Sequence, residues 1–111
     1  MEKVDAMLKR EIATILNEKL SMEEAGLITV TQVVTADDLK DATVWVSVLG
    51  ADVSLVVDNL NEKVWEIKSY LKEREIKLKY LPNLHFKADR TAEKAARVDE
   101  LLKEIEKEKK S

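Results

Sequence analysis

A chain of 111 residues, 45% of them apolar, carries enough material for one domain with one modest core. The absence of cysteine excludes a disulfide framework and a thiolate nucleophile, and a single histidine leaves a zinc site only carboxylates to draw on. The net charge of −3 is unevenly spread: residues 1–10 carry +1, 11–61 carry −7, 62–97 carry +4 and 98–111 carry −1. Such a distribution is compatible with a basic face turned toward RNA and an acidic back, and equally with a plain surface rich in lysine and glutamate. "MEKVDAMLKREI" lacks the short apolar core of a signal peptide and no run approaches the length of a membrane span. A cytoplasmic location without a membrane partner is the expectation.

In chain order, Val4, Met7, Leu8, Ile12, Ile15, Leu16 and Leu20 recur at helical spacing and predict a first helix with one buried stripe. After the polar connector "SMEEAG", the β-branched run "LITVTQVVT" predicts a strand. A second strand follows "TADDLKD", with Val44, Val46 and Val48 alternating against Thr43, Trp45 and Ser47, so the two form a hairpin ending at Gly50. A long second helix starts near Asp52, a capping residue, and runs toward Arg74 on a stripe of Val53, Val56, Val57, Leu60, Val64, Ile67 and Leu71. One flank of that stripe collects Asn61, Trp65, Lys68 and Lys72, while Asp58, Glu62, Glu66 and Glu73 lie around the back. "IKLKYLPNLHFKA" reads as an extended segment, with the only proline at the mouth of a strand on which Leu84, Phe86 and Ala88 alternate with His85 and Lys87. A last helix from near Thr91 is expected to bury Ala95, Val98, Leu101, Leu102 and Ile105 before fraying into "EKEKKS". The order predicts an α+β fold: a three-stranded sheet with helices packed on one face, residues 1–105 forming a single domain and 106–111 a charged tail.

Catalytic chemistry has little to stand on. Asp37, Asp38 and Asp41 sit between two strands, where aspartates are ordinary turn formers. His85 reads as a surface or hydrogen-bonded side chain, and Gly26 and Gly50 belong to no phosphate-binding loop. No cofactor or metal is implied, and the chain is not read as an enzyme. RNA binding asks instead for phosphate-neutralising cations along a face and an aromatic on which a base stacks. Lys68, Lys72 and Arg74 late in the long helix, Lys77 and Lys79 before the third strand, and Lys87, Arg90, Lys94 and Arg97 after it are the cations that such a face would gather. Trp65 is the stacking candidate, its competing reading being a cover over the rim of the core. Arg97 has a competing reading too, as a structural partner of Asp89 or Glu93.

The hairpin "GLITVTQVVTADDLKDATVWVSVLG", residues 26–50, resembles the signature hairpin of the ribosome-binding factor A family. "VDAMLKREIATIL" resembles that family's first helix, "YLPNLHF" its proline-led third strand and "DRTAEKAARVDELL" its closing segment, so the resemblance covers about residues 3–105 in the right order. It implies a K-homology domain of type II, the bacterial type, with helix, two strands, a helix pair and a strand, followed by a C-terminal helix. It further implies a small cytoplasmic assembly factor, monomeric when free, that binds the small (30S) ribosomal subunit through 16S ribosomal RNA, not DNA. Such a factor assists late maturation and rRNA processing without catalysis, particularly in the cold. The alternative is a protein-interaction module that keeps the fold without RNA binding. Two places depart from the family pattern. Lys63, Val64 and Trp65 stand where an alanine, any residue and a glycine usually kink the long helix, and "SMEEAG" replaces the usual aspartate-proline-arginine connector. With no glycine or proline in the helix, a straight run and a bent one both remain open.

Overall fold

The computed structural model describes residues 2–20, 26–74 and 80–110. Its elements run α1 (Glu2–Lys19), β1 (Leu27–Thr35), β2 (Asp41–Leu49), α2 (Val53–Glu62), α3 (Val64–Glu73), β3 (Asn83–Ala88) and α4 (Thr91–Lys110). The sheet has the order β1-β2-β3, with β1 antiparallel to β2 and β2 parallel to β3, so the helix pair is the crossover that a parallel neighbour requires. The α+β class, the three strands and the one-sided helical layer agree with the sequence reading.

Strand alternation fixes which face is covered. Ala42, Val44 and Val46 of β2 and Leu84 and Phe86 of β3 are buried against Leu8, Ile12, Ile15 and Leu16 of α1, Val56 and Leu60 of α2, and Ile67 and Leu71 of α3. β1 departs from simple alternation. Ile28 and Val30 point inward, then Val33 and Thr35 do, because the pairing passes from Val30 opposite Val46 to Gln32 opposite Trp45 and leaves Thr31 as an extra residue. This β-bulge resets the phase of the strand, so both halves of an out-of-phase apolar pattern reach the core. The opposite face of the sheet, with Thr29, Gln32, Thr43, Trp45, Ser47, His85 and Lys87, carries no helix among the described residues.

The hairpin turn is tied by the Lys40 N–H donating to Asp38 Oδ1 at 3.0 Å, the local aspartate chemistry expected there. Asp41, by contrast, opens β2, and its Oδ1 lies 2.9 Å from His85 Nε2 on the open face. Gly26 enters β1 at φ +68, where a Cβ would stand 2.5 Å from the Leu49 carbonyl oxygen, so only glycine fits.

One question about the helices is settled and one expectation needs correction. The run from Asp52 to Arg74, left open as straight or bent, is the helix pair that the resemblance implies: it breaks at Lys63, whose φ of −103 and ψ of 15 leave the helical region. Asp52 does cap it, accepting from the Ser54 and Leu55 N–H groups at 2.9 and 3.4 Å. The C-terminal helix does not bury its stripe. Every position from 91 to 107 is exposed, with Val98 at 54%, Leu101 at 58%, Leu102 at 54% and Ile105 at 47%. α4 leaves the body as an arm, and the longest dimension of the molecule is 64 Å against 33 and 18 Å across.

Candidate nucleic-acid interface

The helix break is built by backbone and side chain together. The Lys63 N–H is shared between the Asn59 and Leu60 carbonyls at 3.2 and 3.1 Å, which tightens the last turn of α2, and the Lys63 carbonyl then accepts from Ile67 to start α3. Just before the break, the Asn61 amide acts as a substitute strand. Its Nδ2 donates to the Phe86 carbonyl at 3.0 Å and its Oδ1 accepts from the Phe86 N–H at 2.8 Å. These bonds satisfy a backbone position on β3, which lies at the end of the strand order, and they fasten α2 to the sheet.

Asn61, Trp65, Lys68 and Lys72 follow one another along this side of the helix pair. Lys68 Nζ lies 3.3 Å from Asn83 Oδ1 at the start of β3, so the row runs beside β3. Trp65 is 68% exposed, which excludes its reading as a cover over the core. Lys72 is exposed and has no ion-pair partner among the described residues. The result is a short cationic edge with one accessible aromatic.

The other cations of the sequence reading that lie among the described residues do not join it. Arg74 turns toward α1, where its Nε donates to Glu11 Oε2 and its Nη1 lies 4.0 Å from Glu18 Oε2. The hydrogen bond from Arg74 holds the Glu11 carboxyl below the usual range. Lys87 stands on the open sheet face with its Nζ 5.7 Å from the centre of the Trp45 ring. Arg90 and Arg97 lie beyond the far end of β3, at the root of α4. Lys77 and Lys79 lie outside the described residues.

Arg90 is engaged at both guanidinium ends, donating to Ser54 Oγ at 2.7 Å and to Glu93 Oε2 at 3.2 Å. Arg97 therefore pairs with neither of the acids suggested for it. Asp89 is held instead by the Thr31 hydroxyl, which donates at 2.6 Å, and by the Thr91 N–H at 2.9 Å. These donors, Thr31 first, pull the Asp89 carboxyl from 3.8 down to about 2. Thr31 escaped the sequence reading, and Asn61 was placed on the flank with no role assigned. The signal for Thr31 was the broken alternation of "ITVTQVV"; Asn61, a polar residue on a helix flank, offered none.

Among the described residues no group of three histidine, cysteine or acidic side chains is placed to hold a metal ion, and no helix is long and apolar enough to cross a membrane. Comparison with known proteins supplies the rest. The family model of ribosome-binding factor A matches residues 1–102. The chain belongs to the ribosome-binding factor A family. Ribosome-binding factor A of Thermodesulfovibrio yellowstonii is 36% identical over 107 residues, covering 96% of this chain and 90% of that protein. That of Geobacter sulfurreducens is 33% identical over 111 residues, covering 97% and 92%. The crystal structure of ribosome-binding factor A from Thermus thermophilus shares the fold, with a TM-score of 0.71 at 23% identity over 81% of this chain and 96% of that one. A homology model of the Thermus thermophilus factor, fitted into the cryo-electron-microscopy map of a 30S complex, gives a TM-score of 0.65 at 25% identity and covers 77% and 90%. In this member of the ribosome-binding factor A family the helix break falls at Lys63-Val64-Trp65 without a small-residue pair, and it places an exposed tryptophan in the first turn of α3.

Proposed function

We propose that this chain binds the small ribosomal subunit through its 16S ribosomal RNA and assists late maturation and rRNA processing in the cytoplasm, without catalysis. The match to ribosome-binding factor A over residues 1–102 carries this reading, and the Thermus thermophilus relative fitted into a 30S complex supports the partner. The chemistry of the helix-pair edge agrees with it. Lys68 and Lys72 offer charge to phosphates, and Trp65 offers a ring face to an unpaired base. RNA of folded shape is read mainly through phosphate positions and stacking, which needs few side chains.

The test is cosedimentation with isolated small subunits across a salt series. Binding that falls steeply with salt and weakens in the double reversal Lys68→Glu with Lys72→Glu is the expected outcome. Affinity unchanged by the reversal at low and moderate salt removes this edge from the interface, and no binding to any ribosomal particle ends the reading.

A further inference from the structure

The cations among the described residues fall into separate groups, and the group at the root of α4 is not a continuation of the α3 edge. Lys68 reaches Asn83 at the start of β3, whereas Arg90, Lys94 and Arg97 follow its end at Ala88. Five strand steps separate the two ends of β3, about 17 Å. That exceeds the roughly 8 Å over which exposed charges influence one another at physiological salt. The two groups therefore act independently.

The root of α4 has the character of a phosphate-facing surface. Lys94 and Arg97 lie within about 60° of arc on its first two turns, with Arg90 just before the helix begins. Lys94 and Arg97 are exposed and make no ion pair among the described residues. Charge then reverses over the middle of the helix, where Asp99, Glu100, Glu104 and Glu106 stand against Lys103, before Lys107, Lys109 and Lys110 against Glu108 turn it positive again. A polyanion is attracted to the root and repelled by the middle stretch that follows it. Direction matters for an arm whose described side chains are all exposed, and three tethers set it: the Asp89 N–H donating to the Val46 carbonyl at 2.7 Å, the Thr31 hydroxyl on the Asp89 carboxylate, and Arg90 on Ser54 at the start of α2.

We propose that the root of α4 is a second RNA-backbone contact, made by Lys94 and Arg97, separate from the α3 edge, and aimed by the Thr31–Asp89 bond. This rests on the reading of the chain as an RNA-binding factor and deepens it: the protein bridges two stretches of phosphate instead of resting on one. Thr31 is a positioning residue in this arrangement, acting through Asp89 on where Lys94 and Arg97 sit.

The experiment compares wild type, the Lys68→Glu/Lys72→Glu pair, the Lys94→Glu/Arg97→Glu pair and all four reversals in cosedimentation with small subunits over a salt series, with thermal unfolding as the fold control. Each pair is expected to lower the slope of log affinity on log salt by about 1.5, and the effects of the two pairs to multiply. Thr31→Val is expected to weaken binding in the wild-type background, Thr31→Ser to restore it, and Thr31→Val to add nothing once Lys94 and Arg97 are reversed. Wild-type binding by the Lys94→Glu/Arg97→Glu pair, with the Lys68→Glu/Lys72→Glu pair impaired, overturns the second contact and leaves the proposed function standing. Weaker binding with an unchanged salt slope overturns it in favour of a protein partner. Indifference of both pairs at every salt concentration removes the RNA reading itself.

Discussion

The α2–α3 pair and α4 carry apolar stripes of the same kind, yet one is the lid of the core and the other faces water. Leu60 and Leu71 are 1% and 0% exposed, while Leu101 and Leu102 are 58% and 54% exposed. Amphipathicity states that a helix has a face to cover; it does not supply the cover. Three strands about 4.8 Å apart make a narrow sheet, and helices pack at 8–10 Å, so one face accommodates two helices side by side. Here α1 lies over β1 and α2 over β3 and β2, with α3 packed on α1, and the covered face is full. The other face presents threonine, serine, glutamine, histidine and lysine between its few apolar groups, and β3 hands the chain to α4 after only Asp89 and Arg90. α4 has nowhere in this molecule to go.

The contrast is broken most sharply by removing one leucine from each region. Leu71→Ala opens a cavity in a sealed core and is expected to cost about 2–5 kcal/mol. Leu101→Ala changes an exposed helical position and is expected to stay within about 0.5 kcal/mol. Urea unfolding of the two variants checks both figures, and a large loss from Leu101→Ala would show that α4 is packed in solution.

A smaller effect separates the ways the two regions are fastened. Asn61→Ala removes two bonds to the Phe86 backbone and leaves its N–H and carbonyl to find other partners, at about 1–3 kcal/mol by the same unfolding measurement. Below the break, the packed helices depend on that amide; α4 depends on charge. Asp89 has its carboxyl lowered from 3.8 to about 2, so its tether is fully present above pH 3.8 and is lost as pH falls through about 2. Amide exchange at Thr91 is expected to accelerate over that window while the core amides hold, and Asp89→Asn to flatten the pH dependence. An acid response spread evenly over both regions would erase the distinction.

The parts of the fold legible in the sequence are those with local periodic causes. The stripes of α1 and of the helix pair, the Val44-Val46 strand, the Asp52 cap and the proline-led β3 all sit where side-chain spacing puts them. Side-chain spacing alone did not mark the break at Lys63, because no glycine or proline stands there and the apolar stripe continues unbroken in phase from Val53 to Leu71; only the family resemblance pointed to that place, without deciding between a straight run and a bent one. The exposure of α4 was not legible either, since it depends on how much sheet is already covered. At the candidate site, cation types were readable but not their grouping. Arg74 is drawn to Glu11, 63 positions away, and Arg90 to Ser54, 36 away, and such partners emerge only once the chain has folded. Trp65 and Lys68 stayed together because both belong to the first turn and a half of one helix.

An element whose described side chains all stay out of the interior is also a convenient attachment point. A helix of 20 residues extends about 30 Å and begins from a root tied at Thr31 and Ser54. A fluorophore, spin label or fused domain placed toward its far end leaves the packing of the body untouched. Its motion is set by that root, so orientation at one end becomes readable as displacement at the other.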